Sequence, residues 1–139
     1  MSYADLPILM PPDSLQLSLA VPKAVAAGKP VPVVIRLENA SAHPFDLYLR
    51  GRTLAFDIFI ARVDGVPVWQ RLKNEVIPAI VQLKTLRPGE VLELKEQWDQ
   101  RGNSGEVIGP GSYTVRGTIL TDGPSALETA SATLRIVPN

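Results

Sequence analysis

The sequence predicts an all-β protein with the fold of an immunoglobulin-like antiparallel β-sandwich of about eight or nine strands. Three observations favour this fold class. Short runs of alternating apolar and polar residues recur along the chain, turn signals and 13 prolines separate them, and no long segment has helical spacing. Many short strands joined by turns are typical of a sandwich or a small barrel, and we favour the sandwich.

Each strand is predicted from apolar residues two positions apart, the spacing that places side chains on one face of a strand. Turn signals divide these runs at the 39–44 segment, at Gly51, at the Asp64-Gly65 pair and at the 87–90 segment. We expect strands at 15–21, 30–38, 45–50, 54–60, 66–69, 79–86, 92–98, 113–119 and 134–136. The residues expected to be buried are Leu17, Val33, Ile35, Phe56, Ile58, Leu94, Val115 and Ile119.

Two segments lack the strand pattern. In the 70–78 segment, Leu72, Val76 and Ile77 approach helical spacing, but Pro78 forbids continuation, so we expect a loop with at most one helical turn. The 99–111 segment holds four glycines in thirteen residues and is predicted to be a long irregular connection.

Tyr113 lies at the head of a late strand, directly after Pro110-Gly111-Ser112. This is the setting of a tyrosine corner, in which the phenol hydroxyl donates a hydrogen bond to nearby upstream backbone. The alternative is a buried tyrosine with no such bond. We favour the corner.

Length, charge and composition exclude several classes of protein. The 139 residues suit a single domain spanning 1–139. Lys and Arg number 14, as do Asp and Glu, so no overall field attracts nucleic acid or an anionic membrane. No apolar stretch approaches the length of a membrane-spanning helix. Met1 to Met10 lacks the charged and apolar regions of a signal peptide, and cysteine is absent, so we expect a cytoplasmic protein.

The residues that usually carry catalysis or bind metals are scarce. His43 is the one histidine, in a turn before Pro44, so neither a usual zinc set nor a serine triad can be assembled. The acidic residues between 90 and 106 lack calcium-loop spacing and suit a solvated strand face. Asn39-Ala40-Ser41 is formally a glycosylation acceptor, but a turn role accounts for it. We therefore expect no enzyme activity and no cofactor.

An ordered set of motifs lies between Val33 and Leu120. The set comprises Phe56-Asp57-Ile58, Val63-Asp64-Gly65-Val66-Pro67-Val68-Trp69, Gln82, Thr85-Leu86-Arg87-Pro88-Gly89-Glu90, Trp98-Asp99 and Gly109-Pro110-Gly111-Ser112-Tyr113-Thr114-Val115-Arg116-Gly117. In order and spacing, this set resembles the bacterial intracellular proteinase inhibitor (BsuPI) family. The resemblance implies an immunoglobulin-like fold and inhibition of an intracellular serine protease of the subtilisin type. It supplies no reactive-site motif to carry onto these positions.

The predicted topology suggests where a partner binds. If each connection joins neighbouring antiparallel strands, successive loops alternate between the two ends of the sandwich. The 22–30, 50–53, 70–78 and 99–111 loops then share one end, and the turns at 39–44, 64–65, 87–90 and 121–125 share the other. The partner-binding residues predicted at the first end are Arg50, Arg52, Arg71, Leu72, Lys73, Val76, Ile77 and Arg101. Solvated loop charge accounts for these arginines and lysines equally well.

Three function classes follow from this pattern. A protein-binding module that inhibits a subtilisin-like serine protease agrees with the fold, the resemblance and the missing catalytic groups. The 70–78 loop is the first candidate for the inhibitory segment, because Leu72, Val76 and Ile77 suit an apolar specificity pocket. A structural or adhesive immunoglobulin-like interaction domain is the alternative. An enzyme is third, since its carboxylates have no evident partner.

Overall fold

The computed structural model describes residues 15–51, 55–122 and 127–139, and eleven strands lie within them. All nine predicted strands are present. The two further strands are three and two residues long, too short to show a period in the sequence. The strands are β1 (Leu15–Ala20), β2 (Ala24–Ala26), β3 (Val31–Asn39), β4 (Phe45–Arg50), β5 (Phe56–Arg62), β6 (Pro67–Gln70), β7 (Val81–Leu86), β8 (Val91–Trp98), β9 (Gly111–Ile119), β10 (Leu127–Glu128) and β11 (Ala132–Val137).

The strands form two main sheets and one smaller sheet. Sheet 1 has the order β2-β11-β9-β5-β6, with β10 also paired to β9, and sheet 2 has the order β1-β3-β8. Sheet 3 consists of β4 and β7. The pairs are antiparallel except for β2 and β11, which run parallel. This architecture confirms the all-β, immunoglobulin-like sandwich.

The core lies between the inner faces of sheets 1 and 2. Along β3 the pattern alternates strictly, so that Val33 and Ile35 are fully buried between exposed or half-buried neighbours. Ile35 packs so closely on β9 that a Cβ at Gly117 would lie 2.6 Å from its Cδ1 atom. Seven of the eight residues predicted to be buried are buried. Leu17 is only half-buried, because β1 is the edge strand of sheet 2.

Sheet 3 crosses one end of the sandwich instead of running along it. At the start of β4 and the end of β7, the Leu86 carbonyl accepts a 2.9 Å hydrogen bond from the Asn39 side chain at the end of β3. At the other end of β4, the Arg50 amide donates to the Leu120 carbonyl just after β9. We call the end of the sandwich that sheet 3 crosses the lower end. The upper end is where the 22–30 and 99–110 loops meet.

This crossing corrects the predicted grouping of loops. The 22–30 and 99–110 loops share the upper end as expected, since the Gln100 side chain bonds to Ala26, Gly28 and Lys29. Arg50 and Gly51, at the start of the predicted 50–53 loop, lie at the lower end, and the Asp64-Gly65 hairpin lies at the upper end. Each was predicted at the opposite end. The alternation rule fails because β4 and β7 pair with each other across the lower end. Neither strand therefore carries the chain from one end of the sandwich to the other.

Two predicted turns have the geometry that their sequences require. Pro88 and Gly89 occupy the central positions of a turn in which the Glu90 amide donates to the Arg87 carbonyl at 2.9 Å, and Gly89 has φ 79°. Proline followed by a residue with positive φ is typical of a type II turn. The hairpin between β5 and β6 is closed by Gly65, whose φ is 95°.

The tyrosine corner is confirmed. Tyr113 is 4% exposed, and its hydroxyl donates a 2.6 Å hydrogen bond to the Gly109 carbonyl four residues upstream. The bond holds the end of the long 99–110 loop against the start of β9. Within the ranges that the structure covers, no helix is long and apolar enough to cross a membrane.

Candidate functional site

The candidate site is the connection between β6 and β7, which contains the predicted 70–78 loop. It begins with two overlapping turns, in which the Lys73 amide donates to the Gln70 carbonyl at 3.3 Å and the Glu75 amide to the Leu72 carbonyl at 3.0 Å. Asn74 has φ 64°, a conformation that asparagine tolerates better than most residues. These turns correspond to the single turn predicted for this segment.

Residues 76–79 follow without regular structure. In the part of the chain that the structure describes, none of their backbone groups forms a hydrogen bond. Val76 is 91% exposed, the highest value among the exposed large apolar residues, whereas Ile77 is half-buried. We call residues 75–79 the exposed segment. An apolar side chain in such a position gains nothing from folding and is free to enter a pocket on another protein.

Asp57 on β5 holds the start of the loop. Its side chain is buried, although Asp57 lies in a strand where the neighbouring sequence gives no sign of a special role. One carboxylate oxygen accepts 2.9 Å hydrogen bonds from the amides of Ile58 and Leu72, and the other accepts a 2.7 Å bond from the Gln70 side chain. The carboxylate therefore ties the loop directly to β5 of sheet 1.

Arg71 forms the second tether of the loop. Its Nε donates to a carboxylate oxygen of Glu96 on β8 at 2.7 Å, and its Nη1 donates to the Phe56 carbonyl at 2.7 Å. The guanidinium carbon lies 3.8 Å from the centroid of the Phe56 ring. Arg71 thus connects sheet 1 with sheet 2, and these contacts occupy the guanidinium that was predicted to face a partner.

A third tether joins the loop to the 99–110 connection. Asn103 accepts a 2.9 Å hydrogen bond from the Gln70 amide and donates a 2.8 Å bond to the Gln70 carbonyl. The Asn103 side chain thus forms hydrogen bonds with both the amide and the carbonyl of Gln70, as the backbone of a neighbouring strand would. Trp69 lies next to these bonds, with its ring centroid 6.0 Å from that of Trp98.

The far end of the connection is also fixed. The Ile80 carbonyl accepts a 2.8 Å hydrogen bond from the Gly51 amide, and the Gln82 side chain donates a 2.6 Å bond to the Gly51 carbonyl. The exposed segment is consequently a short free stretch between two anchored ends. Polar side chains supply most of the anchoring.

The structure does not bring all the predicted partner-binding residues together. Lys73, Val76 and Ile77 lie in or beside the exposed segment, and Leu72 is half-buried at its base. Arg50 is exposed at the lower end, whereas Arg101 is exposed at the upper end, where its Nη1 donates to the Gly105 carbonyl. Arg52 lies outside the described residues.

Several residues that shape this region were missed by the sequence analysis. Asp57 and Asn103 act through contacts with Gln70, which is 13 and 33 positions away. Gln100 is 1% exposed and has φ 62°, yet no local pattern distinguishes it from a solvated glutamine. Asp57 stands between Phe56 and Ile58, where an alternating strand is expected to carry a solvated polar residue, so the sequence offers no signal of its burial.

The remaining polar groups have structural roles. Asn39 is fully buried, and its Nδ2 donates to the carbonyls of His43 and Leu86, so the Asn-Ala-Ser motif acts as a turn, as predicted. A hydrogen bond from the Arg87 amide and an ion pair with Lys84 lower the pKa of Glu90. Among residues 15–51, 55–122 and 127–139, no group of three or more His, Asp or Glu side chains is arranged to hold a metal ion.

Several solved structures are similar to the chain. The chain is similar to the alkylpurine DNA glycosylase AlkC of Pseudomonas fluorescens (17% identity, 88% of this chain and 30% of that chain, TM-score 0.47). It is also similar to a β-glucosidase from Listeria innocua (15%, 83% and 15%, 0.44) and to a CARDB domain from Pyrococcus furiosus (11%, 90% and 94%, 0.44). The chain thus spans less than a third of the first two proteins. Likenesses this weak carry no functional information.

A search of curated proteins found no match to the chain. The family comparison gives a clear result. Residues 18–123 match the family described as intracellular proteinase inhibitor, BsuPI, and this range includes every strand from β3 to β9 and the whole candidate site. The match covers more of the chain than the motifs between Val33 and Leu120 indicated. The chain belongs to the BsuPI family of intracellular proteinase inhibitors.

Proposed function

We propose that this protein inhibits a cytoplasmic serine protease of the subtilisin type by placing its exposed segment, residues 75–79, in the active-site cleft of that protease. The observation that carries the proposal is the position of Val76. Its side chain is 91% exposed on a stretch without backbone hydrogen bonds, between two anchored ends. Free backbone groups and an unburied apolar side chain are what a protease cleft recognises in a bound chain.

Anchoring favours inhibition over binding as a substrate. Ordering a free loop costs about 1–2 kcal/mol of backbone entropy for each residue, and a loop that is already ordered avoids most of this cost on binding. Here the contacts of Asp57, Arg71 and Asn103 restrict one end, and the Gly51–Ile80 hydrogen bond restricts the other. The same contacts would keep a cleaved segment in place, which favours religation over release.

Under this proposal, the predicted partner-binding residues have different roles. Lys73, Val76 and Ile77 belong to the contact surface, because they lie in or next to the exposed segment. Leu72 supports the segment from below, since its amide is bonded to Asp57. Arg71 positions the loop instead of contacting the protease. Arg50 and Arg101 lie at opposite ends of the sandwich, so they cannot both be part of one small interface centred on the segment.

A second candidate function is a non-inhibitory interaction domain, and one surface favours it. Tyr48 on β4 and Leu83 on β7 are cross-strand neighbours, and they are 54% and 58% exposed. Val81 lies on the same outer face at 40% exposure. Adjacent exposed apolar side chains are a feature of protein contact surfaces. Binding that is lost in Leu83→Asp and retained in Val76→Asp would favour this alternative.

The test of inhibition compares two exposed valines. A purified intracellular subtilisin-type protease is titrated with the wild type, with Val76→Asp and with Val107→Asp, a matched control whose side chain is 72% exposed in the 99–110 loop. We expect Val76→Asp to weaken inhibition at least about tenfold, equivalent to about 1.4 kcal/mol, because a carboxylate is poorly accommodated in an apolar pocket. Val107→Asp should retain wild-type potency.

Two results would contradict the proposal. Equal potency of the two variants would reject the exposed segment as the inhibitory element. Absence of inhibition by the wild type, with intact folding shown by circular dichroism, would reject protease inhibition for the protease that was titrated. Mass spectrometry of the chain after prolonged incubation then distinguishes an inhibitor from a slow substrate, because a substrate accumulates a cut within residues 75–79.

A further inference from the structure

A groove of about 580 Å³ lies beside the loop on the outer face of sheet 1. Its floor comes from β5 and β9, and its walls come from β6, the turn at Lys73 and the 99–110 loop. The groove opens directly next to the exposed segment, because Gln70 and Lys73 belong to its lining. Polar and apolar residues both line the groove.

Arg116 is the central polar residue of the groove. It is the cross-strand partner of Phe59, and its guanidinium carbon lies 4.7 Å from the centroid of the Phe59 ring. Its Nε is buried, and it has no hydrogen-bond partner within the described part of the chain. Among the residues the structure describes, Arg116 forms no ion pair either. A buried, unsatisfied guanidinium nitrogen is costly unless a ligand compensates for it.

Lys73 supplies a second cation at the wall of the same groove. It is exposed, and in the described ranges its side chain has no ion-pair partner. The carboxylate in the lining, that of Glu106, accepts a hydrogen bond from the Ser104 amide and is turned towards Gly102 in its own loop. The groove therefore has two unpaired cations and one carboxylate that is already engaged.

We propose that this groove binds an acidic segment of the protein that the exposed segment contacts, as a second point of attachment. The proposal rests on the proposed function in that the occupant belongs to the same bound protein. With the Arg116 Nε buried and its guanidinium stacked on Phe59, the two Nη groups remain to bind carboxylate oxygens, which arginine can hold in a bidentate pair. Aspartate or glutamate side chains therefore complement the charge of the groove, and Lys73 extends the match towards the exposed segment.

The first experiment needs no protease. The ¹⁵N-labelled protein is titrated with a capped hexaglutamate peptide, with a capped hexaglutamine peptide and with glutarate, and backbone amide and arginine Nε signals are followed by NMR. We expect saturable shifts for hexaglutamate, confined to β5, β6, β9 and the turn at Lys73, including the Arg116 Nε signal. The neutral peptide should leave these signals unchanged, and glutarate should bind more weakly.

Variants test the two cations separately. Arg116→Gln and Lys73→Gln should each weaken hexaglutamate binding about two- to fivefold, the loss expected for one partly exposed ion pair. Lys95→Gln removes the same charge from an exposed strand position in sheet 2 and should have no effect. If Arg116→Gln unfolds, Lys73→Gln still decides the matter, because its side chain is exposed and does not support the fold.

Several outcomes would overturn the proposal. Shifts spread over all lysine and arginine regions would indicate non-specific attraction, and equal binding of hexaglutamine would exclude recognition of charge. Glutarate binding as tight as hexaglutamate would assign the groove to a small dicarboxylate instead of a protein segment. Inhibition assays are interpreted independently: an inhibitor whose potency is unchanged in Arg116→Gln at low salt keeps the proposed function and loses the second attachment.

Discussion

Replacing Asp57 provides the sharpest test of how the loop is held. Asp57→Ala removes the acceptor of two loop hydrogen bonds, those from the Leu72 amide at 2.9 Å and the Gln70 side chain at 2.7 Å. These two bonds are part-buried, so each contributes about 1–1.5 kcal/mol. This is at the lower limit of the roughly 1.5–3 kcal/mol that is usual for a hydrogen bond to a charged group. Local opening of the loop should become easier by about 2–3 kcal/mol, or about 30- to 150-fold.

Asp57→Asn is the matched control. The amide oxygen can still accept the bonds from the Ile58 and Leu72 amides, and the Gln70 side chain can rotate its own amide to accept from the new NH₂ group. The loss of charge should therefore cost about 1 kcal/mol. The asparagine variant keeps the shape of the side chain and thus isolates the loss of charge, whereas Asp57→Ala removes the hydrogen-bond acceptors and the side-chain volume together.

Limited proteolysis measures the opening. With a protease of broad specificity at low concentration, the cleavage rate within residues 71–79 follows the population of the open loop. Urea unfolding of the same variants gives the global stability. Cleavage in the loop should accelerate in Asp57→Ala by more than the change in global stability explains, and only slightly in Asp57→Asn. Loop cleavage in Asp57→Ala that merely parallels global unfolding would refute the role of Asp57 as a local anchor.

Three further variants test the rest of the framework. Tyr113→Phe should destabilise the domain by about 1–3 kcal/mol in urea unfolding, because the part-buried hydrogen bond from the Tyr113 hydroxyl to the Gly109 carbonyl is lost, and an unchanged midpoint would contradict this. Glu90→Gln should lower stability at neutral pH but not in acid. The Arg87 amide and Lys84 lower the pKa of Glu90 in the folded state, so the stabilising contribution of the carboxylate disappears as the pH falls through that pKa. An equal loss of stability at both pH values would argue against this role. Gln100→Ala should cost about 2–4 kcal/mol in thermal unfolding, since three hydrogen bonds to the neighbouring turn are lost, and a variant as stable as the wild type would exclude that role.

Strand positions could be predicted because they depend on local information. The alternation of Val33 and Ile35 with their more exposed neighbours is fixed by the pleat of one strand, and the turn at Pro88-Gly89 is fixed by the φ values that these residues allow. The tyrosine corner is also local, since Tyr113 bonds to a carbonyl only four residues away. For such local features, the amino-acid sequence alone contains most of the information that determines the structure.

The arrangement of loops could not be predicted because it depends on which strands pair. The rule of alternating ends assumes that each strand runs the length of a sheet, and β4 and β7 instead pair with each other across the lower end. No period distinguishes such a pair from any other hairpin-like pair. The anchoring of the loop was missed for the same reason, since Asp57 and Asn103 make contacts over 13 to 33 positions.

The same long-range contacts restrain the proposed binding segment in a chain without cysteine. A disulfide restricts a loop by joining two points covalently. Here hydrogen bonds at Leu72 and Ile80 fix the points between which the exposed segment runs. Pro78 restricts the backbone further, because its ring fixes φ. The entropy lost on binding is then confined to the five residues of the exposed segment, or about 5–10 kcal/mol at most. Affinity for a partner should therefore respond more to the anchoring residues than to the stability of the whole sandwich.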